Sequence, residues 1–181
     1  MPGQRLVKAA TDPTDVSMLL HFALAANSRD LLAYLERRVD VREDAADLLG
    51  ETMLVAWRRV ARLPPDAEGA RMWLFVIART TLRNYSRGRR RQVQLAATLR
   101  REVRSTAIAP DTAEALDVRR AIAELPRDLA ELVRLVHWDG FPLAEAARLL
   151  GIPASTARGR YARARSELSS RLPAYDNSPA D

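Results

Sequence analysis

The apolar residues of this chain recur every three or four positions and nowhere alternate one by one. That spacing lines one face of an α-helix, whereas alternation would line one face of a strand. It predicts an all-α fold. Breakers then cut the pattern into elements. Helices are expected over residues 16–26, 29–39 and 42–63, the last interrupted by LPPDAEG with its two prolines and glycine. A fourth is expected over 70–87, decaying into RGRRRQ. Residues 93–111 are less periodic, contain STAIAP and read as a linker. Periodicity resumes in DTAEALDVRRAIAEL, stops at Pro126, continues through RDLAELVRLVHW and stops again at DGFP. LAEAARLL, Gly151 and a last helix over 154–172 follow, ended by Pro173.

A chain of 181 residues suffices for one domain or two small ones. Apolar residues make up 48% of it, enough to bury a core rather than stay disordered. It has no cysteine, which excludes disulfides and thiolate metal sites. The opening residues, MPGQRLVKAATDPTD, lack the apolar stretch of a signal peptide, and no run is long enough to span a bilayer. A cytoplasmic location is expected.

Charge is sorted into blocks. Residues 40–51 carry five acids and one arginine, residues 71–104 ten arginines and one acid, and residues 154–172 five arginines and one acid. The net charge is +6, with 28 arginines against a single lysine, Lys8. The basic blocks suit a polyanion and the acidic block would be repelled by one, so two partners of opposite character are expected.

LAEAARLL-Gly-IP-ASTARGRYARARSEL reads as a helix-turn-helix, with Gly151 supplying the positive φ of a tight turn. Pro153 fits the start of the second helix, and Ser155 or a neighbour is expected to cap it. On a helical wheel Ala157, Tyr161, Ala164 and Leu168 form the buried stripe, and Ser155, Gly159, Ala162 and Ser166 form a flat face opposite. Arg158 and Arg165 flank that face on one edge, Arg160 and Arg163 on the other. A smooth face lets a helix approach base edges in the major groove while two rows of arginine reach the phosphates. A solvated arginine-rich amphipathic helix is the plainer alternative.

The motifs together resemble bacterial sigma factors of the extracytoplasmic-function group, in the sigma-70 family. The carboxyl-terminal part is similar in Leu125-Pro126, Glu145-Ala146-Ala147, Leu150-Gly151-Ile152, Thr156, Arg158, Arg160 and the run Arg163-Ala164-Arg165. DAADLLGETMLVAW resembles the acidic helix of sigma domain 2, and MWLFVIARTTLRNYSRGRRR its promoter-binding helix. The resemblance implies sigma domain 2 over 13–91, a linker over 92–111, the helix-turn-helix sigma domain 4 over 112–173 and a disordered tail over 174–181.

It also implies roles. Asp44, Asp47, Leu48, Glu51 and Val55 would bind the clamp of the large polymerase subunit. Arg79, Arg83, Asn84, Arg87 and Arg90 would bind the minus-ten element, and the loop 63–70 would face a flipped base. Trp73 beside that loop reads as core. Ser155, Thr156, Arg158, Gly159, Arg160, Ala162, Arg163 and Arg165 would read the minus-thirty-five element. RNA polymerase core, through its clamp and flap, and promoter DNA are the implied partners, with an anti-sigma factor common in the family. No catalytic residue, metal site or cofactor is expected: His21 and His137 sit among apolar neighbours as structural histidines, and no ligand spacing or phosphate loop occurs. A helix-turn-helix regulator that does not load polymerase, and a helical adaptor that binds no DNA, are the alternatives.

Overall fold

The computed structural model describes residues 13–97 and 113–172, all of whose regular structure is helical. The elements are α1 (Pro13–Glu36), α2 (Arg42–Arg58), a 3-10 turn (Val60–Arg62), α3 (Ala67–Ala97), α4 (Ala113–Ala123), α5 (Arg127–His137), α6 (Leu143–Leu150) and α7 (Ala154–Arg171). They form two compact units, Met1–Arg104 and Ser105–Asp181. Most of the expected linker and the expected tail lie outside the described residues.

Where two helices were expected before residue 40, one continuous helix stands. Asn27 and Ser28 look like a break, because short polar side chains compete with the helical backbone. They turn that competition inward instead. Asn27 Nδ2 donates to the carbonyl of Ala23 at 2.8 Å and Ser28 Oγ to that of Ala25 at 3.4 Å. At the other end of this unit α3 runs to Ala97, beyond the expected boundary at 91. Val93, Gln94, Leu95 and Ala96 contain no breaker to stop it.

The first unit buries one side of each of its three helices. Leu20, Leu31, Tyr34 and Leu35 of α1 meet Ala45, Leu48 and Ala56 of α2 and Leu74, Phe75, Ile77 and Ala78 of α3 in its core. Tyr34 and Phe75 meet edge to face, ring centres 5.4 Å apart. The buried Thr52 satisfies its hydroxyl on the carbonyl of Leu48 at 2.7 Å, so it adds no orphan polar group. Asp66 starts α3 by accepting from the amide of Gly69 at 2.6 Å, a side-chain cap that also fixes the proline loop before it.

In the second unit Ile122, Leu125, Leu129, Ala130, Val133 and Ala164 form a core, joined by Val118, Trp138 and Leu168 at its edge. Pro126, Pro142 and Pro153 stand immediately before α5, α6 and α7, each in an extended conformation. Proline has no amide to leave unpaired there, and its fixed φ sets the entry of the chain. The start of α7 corrects one expectation: no side chain caps it, and Ser155 lies inside the helix, exposed. Gly151 ends α6 at φ 70, as its place in the turn requires. The amide of Ile152 reaches back to the carbonyl of Ala147, and that of Gly151 to Arg148, each at 3.1 Å. This is the Schellman closure, which only a residue comfortable at positive φ allows.

Candidate nucleic-acid and protein interfaces

Helix α7 carries out the wheel drawn from its sequence. Ala157 and Ala164 are fully buried, and Tyr161 and Leu168 are half-buried beside them. Two alanines at the contact bring α7 close to its neighbours, where larger residues would hold it away. Ser155, Thr156, Arg158, Gly159, Ala162, Arg163 and Arg165 are exposed, and Arg160 is half-buried. A Cβ built on Gly159 meets nothing within 4 Å, so the fold of this chain does not demand glycine there.

The arginine rows differ. Arg158 and Arg165 have no carboxylate partner among the described residues. Arg160 Nε lies 3.3 Å from Asp128 Oδ2, and Arg163 Nε donates to Glu167 Oε1 at 2.9 Å. The Arg163–Glu167 pair has the i,i+4 spacing that a sequence can announce. Asp128 comes from α5, and no local spacing points to it. Where α5 ends, His137 Nε2 and the Tyr161 hydroxyl are 2.7 Å apart with their rings stacked. His21 is exposed, edge-on to Phe22.

In the first unit Asp47 and Glu51 of α2 are exposed and have no cationic partner among the described residues. Leu54 continues their face at i+7 from Asp47 and is 58% exposed. The spacing was available in the sequence, but an exposed leucine resembles a core residue until the helix is placed. Leu48 requires a correction: it is 3% exposed and belongs to the core behind this face, so it offers a partner no surface. Val55 is half-buried, while Trp57 is exposed.

Asp44, at the start of α2, is engaged within the unit. The Tyr85 hydroxyl donates to Asp44 Oδ2, and Arg89 Nη1 donates to the Tyr85 hydroxyl at 2.9 Å. Arg89 also lies 3.5 Å from Asp44 and 3.4 Å from Asp40. Partial burial, then the bond to the Asp44 carboxylate, push the Tyr85 phenol above its ordinary range against the pull of Arg89. The bond to Tyr85, more than the acids, holds the Arg89 guanidinium protonated more firmly than usual.

On α3, Leu74, Ile77, Ala78 and Thr81 are buried and Tyr85 half-buried, as their common side predicts. Arg79 is half-buried, and Arg83, Asn84 and Arg87 are exposed. The three arginines stand at i, i+4 and i+8 with no carboxylate among the described residues to offset their mutual repulsion. Trp73 is half-buried, and the Arg90 side chain lies outside the described residues.

Fold and surfaces thus define a helical protein of two units, the second a helix-turn-helix. Residues 24–92 match Sigma-70 region 2, and residues 115–168 match Sigma-70, region 4. The chain is 35% identical over 133 residues to the ECF RNA polymerase sigma factor EcfG of Rhodopseudomonas palustris, covering 71% of each chain. It is 30% identical over 175 residues to the probable RNA polymerase sigma-C factor of Mycobacterium bovis, covering 90% of this chain and 94% of the relative. Among solved structures it is similar to the sigma factor RpoE of Bartonella quintana, solved in complex with the anti-sigma factor NepR. The TM-score is 0.69 at 26% identity, over 90% of this chain and 99% of the other.

The chain belongs to the extracytoplasmic-function group of the sigma-70 family. As an RNA polymerase sigma factor it binds the polymerase core and directs promoter-specific initiation at minus-ten and minus-thirty-five elements. No helix among the described residues is long and apolar enough to cross a membrane.

Proposed function

We propose that the sigma activity is divided among three helix faces. Asp47, Glu51 and Leu54 of α2 dock on the clamp of the large polymerase subunit, their charge calling for a basic partner surface. Arg79, Arg83, Asn84 and Arg87 of α3 hold the minus-ten element, with Arg90 continuing the row. Ser155, Thr156, Arg158, Gly159, Arg160, Ala162, Arg163 and Arg165 of α7 read the minus-thirty-five element, and the same unit meets the polymerase flap. Asp44 acts from behind the docking face, through its bonds to α3. The domains are those of the resemblance, 13–91 and 112–173, with α3 carrying the first on to Ala97 before the linker.

One observation carries this reading. The unpartnered Asp47 and Glu51 of α2 and the unpartnered Arg83 and Arg87 of α3 stand exposed on neighbouring helices of a single unit. Charges left this way are costly to hold together unless each set meets its own counter-charge outside the chain. Bond-making chemistry belongs to the polymerase in this reading, and the chain works in the cytoplasm as a non-catalytic factor. An anti-sigma protein is a further expected partner, since the similar RpoE was solved with one.

Run-off transcription with purified core polymerase tests the division. Arg158→Ala is expected to lower promoter-directed transcription while co-purification with the core is retained. Asp47→Lys with Glu51→Lys is expected to abolish co-purification. Unchanged transcription in the first, or retained co-purification in the second, overturns the corresponding assignment.

A further inference from the structure

The cations of α7 are of two kinds. Arg158 and Arg165, on one edge of the small-residue face, have no carboxylate partner among the described residues. Arg160 and Arg163, on the other edge, each have one, from Asp128 on α5 and from Glu167 one turn along α7. In both pairs the nearest guanidinium nitrogen is Nε: that of Arg163 donates to Glu167 at 2.9 Å, and that of Arg160 lies 3.3 Å from Asp128 as an ion pair. Nε is the guanidinium nitrogen set back along the side chain. A carboxylate there leaves the two terminal amino groups available and favours one direction for them, through a hydrogen bond at Arg163 and through charge alone at Arg160. Two parallel N–H donors presented end-on match N7 and O6 of guanine in the major groove. A phosphate contact makes no such demand, because it carries no sequence information.

We propose that Asp128 and Glu167 are specificity-determining positioning residues, which hold Arg160 and Arg163 end-on for guanine edges. Arg158 and Arg165 then supply the phosphate contacts. The inference rests on the reading of α7 as the minus-thirty-five helix. Its physical basis is preorganisation: a flexible arginine fixed before contact loses less freedom on reading a base. The two carboxylates also repel every phosphate backbone equally. Their removal is therefore expected to favour any DNA while blurring the choice among sequences. Exposed ion pairs of this kind add little to folding stability, so the variants should stay folded.

The test uses the full chain assembled with core polymerase. Duplexes randomised across the upstream promoter element are enriched by the wild-type complex. Affinity is then measured for the enriched sequence and for a scrambled duplex of equal length. The enriched sequence is expected to contain guanines that Arg160→Ala no longer selects. Asp128→Asn and Glu167→Gln are each expected to cut the enriched-to-scrambled ratio about tenfold, with scrambled binding unchanged or tighter. Asp128→Glu should preserve the ratio. Asp128→Asn added to Arg160→Ala should change it no further, because the carboxylate acts through that arginine.

Equal gains for both duplexes, with the ratio intact, would mean that the acids only screen charge, and the proposal is overturned. A further loss of the ratio in the Arg160→Ala background overturns it too. An enriched sequence without guanine defeats this inference and leaves α7 as the reading helix. No enrichment by the wild type defeats both. If Asp128→Asn unfolds the second unit, Glu167→Gln decides alone, since its pair lies within one helix.

Discussion

The Tyr85 hydroxyl donates to Asp44, joining the basic helix α3 to the first turn of the acidic helix α2. The two residues are 41 positions apart in sequence, and Arg89 closes the junction from the next turn of α3. Two surfaces of opposite charge are thereby tied together by a neutral hydroxyl.

Removing that hydroxyl by Tyr85→Phe is expected to cost about 1 kcal/mol near neutral pH, the ordinary worth of a hydrogen bond. The phenol has a folded pKa above its usual 10.0, so its contribution is complete below that value and fades as pH rises through the folded one. The stability gap between wild type and Tyr85→Phe should therefore narrow in alkali. Urea unfolding followed by fluorescence in a Trp138→Phe background measures it, since the remaining tryptophans, Trp57 and Trp73, both lie in the first unit.

Leu54→Glu is expected to weaken binding to core polymerase by about tenfold, the scale of a residue central to an interface. Its side chain is already exposed, so the melting temperature should hardly move. Competition binding against the wild-type chain, beside a thermal melt, separates the two effects.

Gly159→Ala is expected to stabilise α7 by about 0.5–1 kcal/mol, because the added methyl group meets open space. The same methyl group stands on the face assigned to base edges and should lower promoter affinity. Opposite signs in a urea melt and a DNA-binding titration would mark glycine as kept for the DNA rather than for the fold.

Gly151→Ala is expected to destabilise the second unit by roughly 1–2 kcal/mol, the penalty of a side chain in the left-handed region. Its surroundings are open, so the loss comes from the backbone alone. Chemical denaturation of the full chain in a Trp57→Phe, Trp73→Phe background, followed through Trp138, measures it.

The helix-turn-helix was the most legible part of the chain, since its signals are local. Gly151, Pro153 and the stripe Ala157, Tyr161, Ala164 and Leu168 each speak through spacing alone. The break expected at Asn27 and Ser28 was misleading because the same side chains that end helices can also bond back within one. Leu48 and Leu54 show the limit most clearly. Both are leucines on one acidic helix, yet one is core and the other surface, a choice settled by where α1 and α3 lie. Asp128 and Arg89 depend on contacts between helices, which no window of sequence contains.

Arginines already matched by a carboxylate alter how salt acts on this protein. DNA sheds bound cations in proportion to the positive charge brought to it. In the proposed complex Arg160 and Arg163 arrive paired with Asp128 and Glu167, and bring little net charge. A salt titration of promoter binding will accordingly register fewer ions displaced than the number of arginine side chains that touch the double helix.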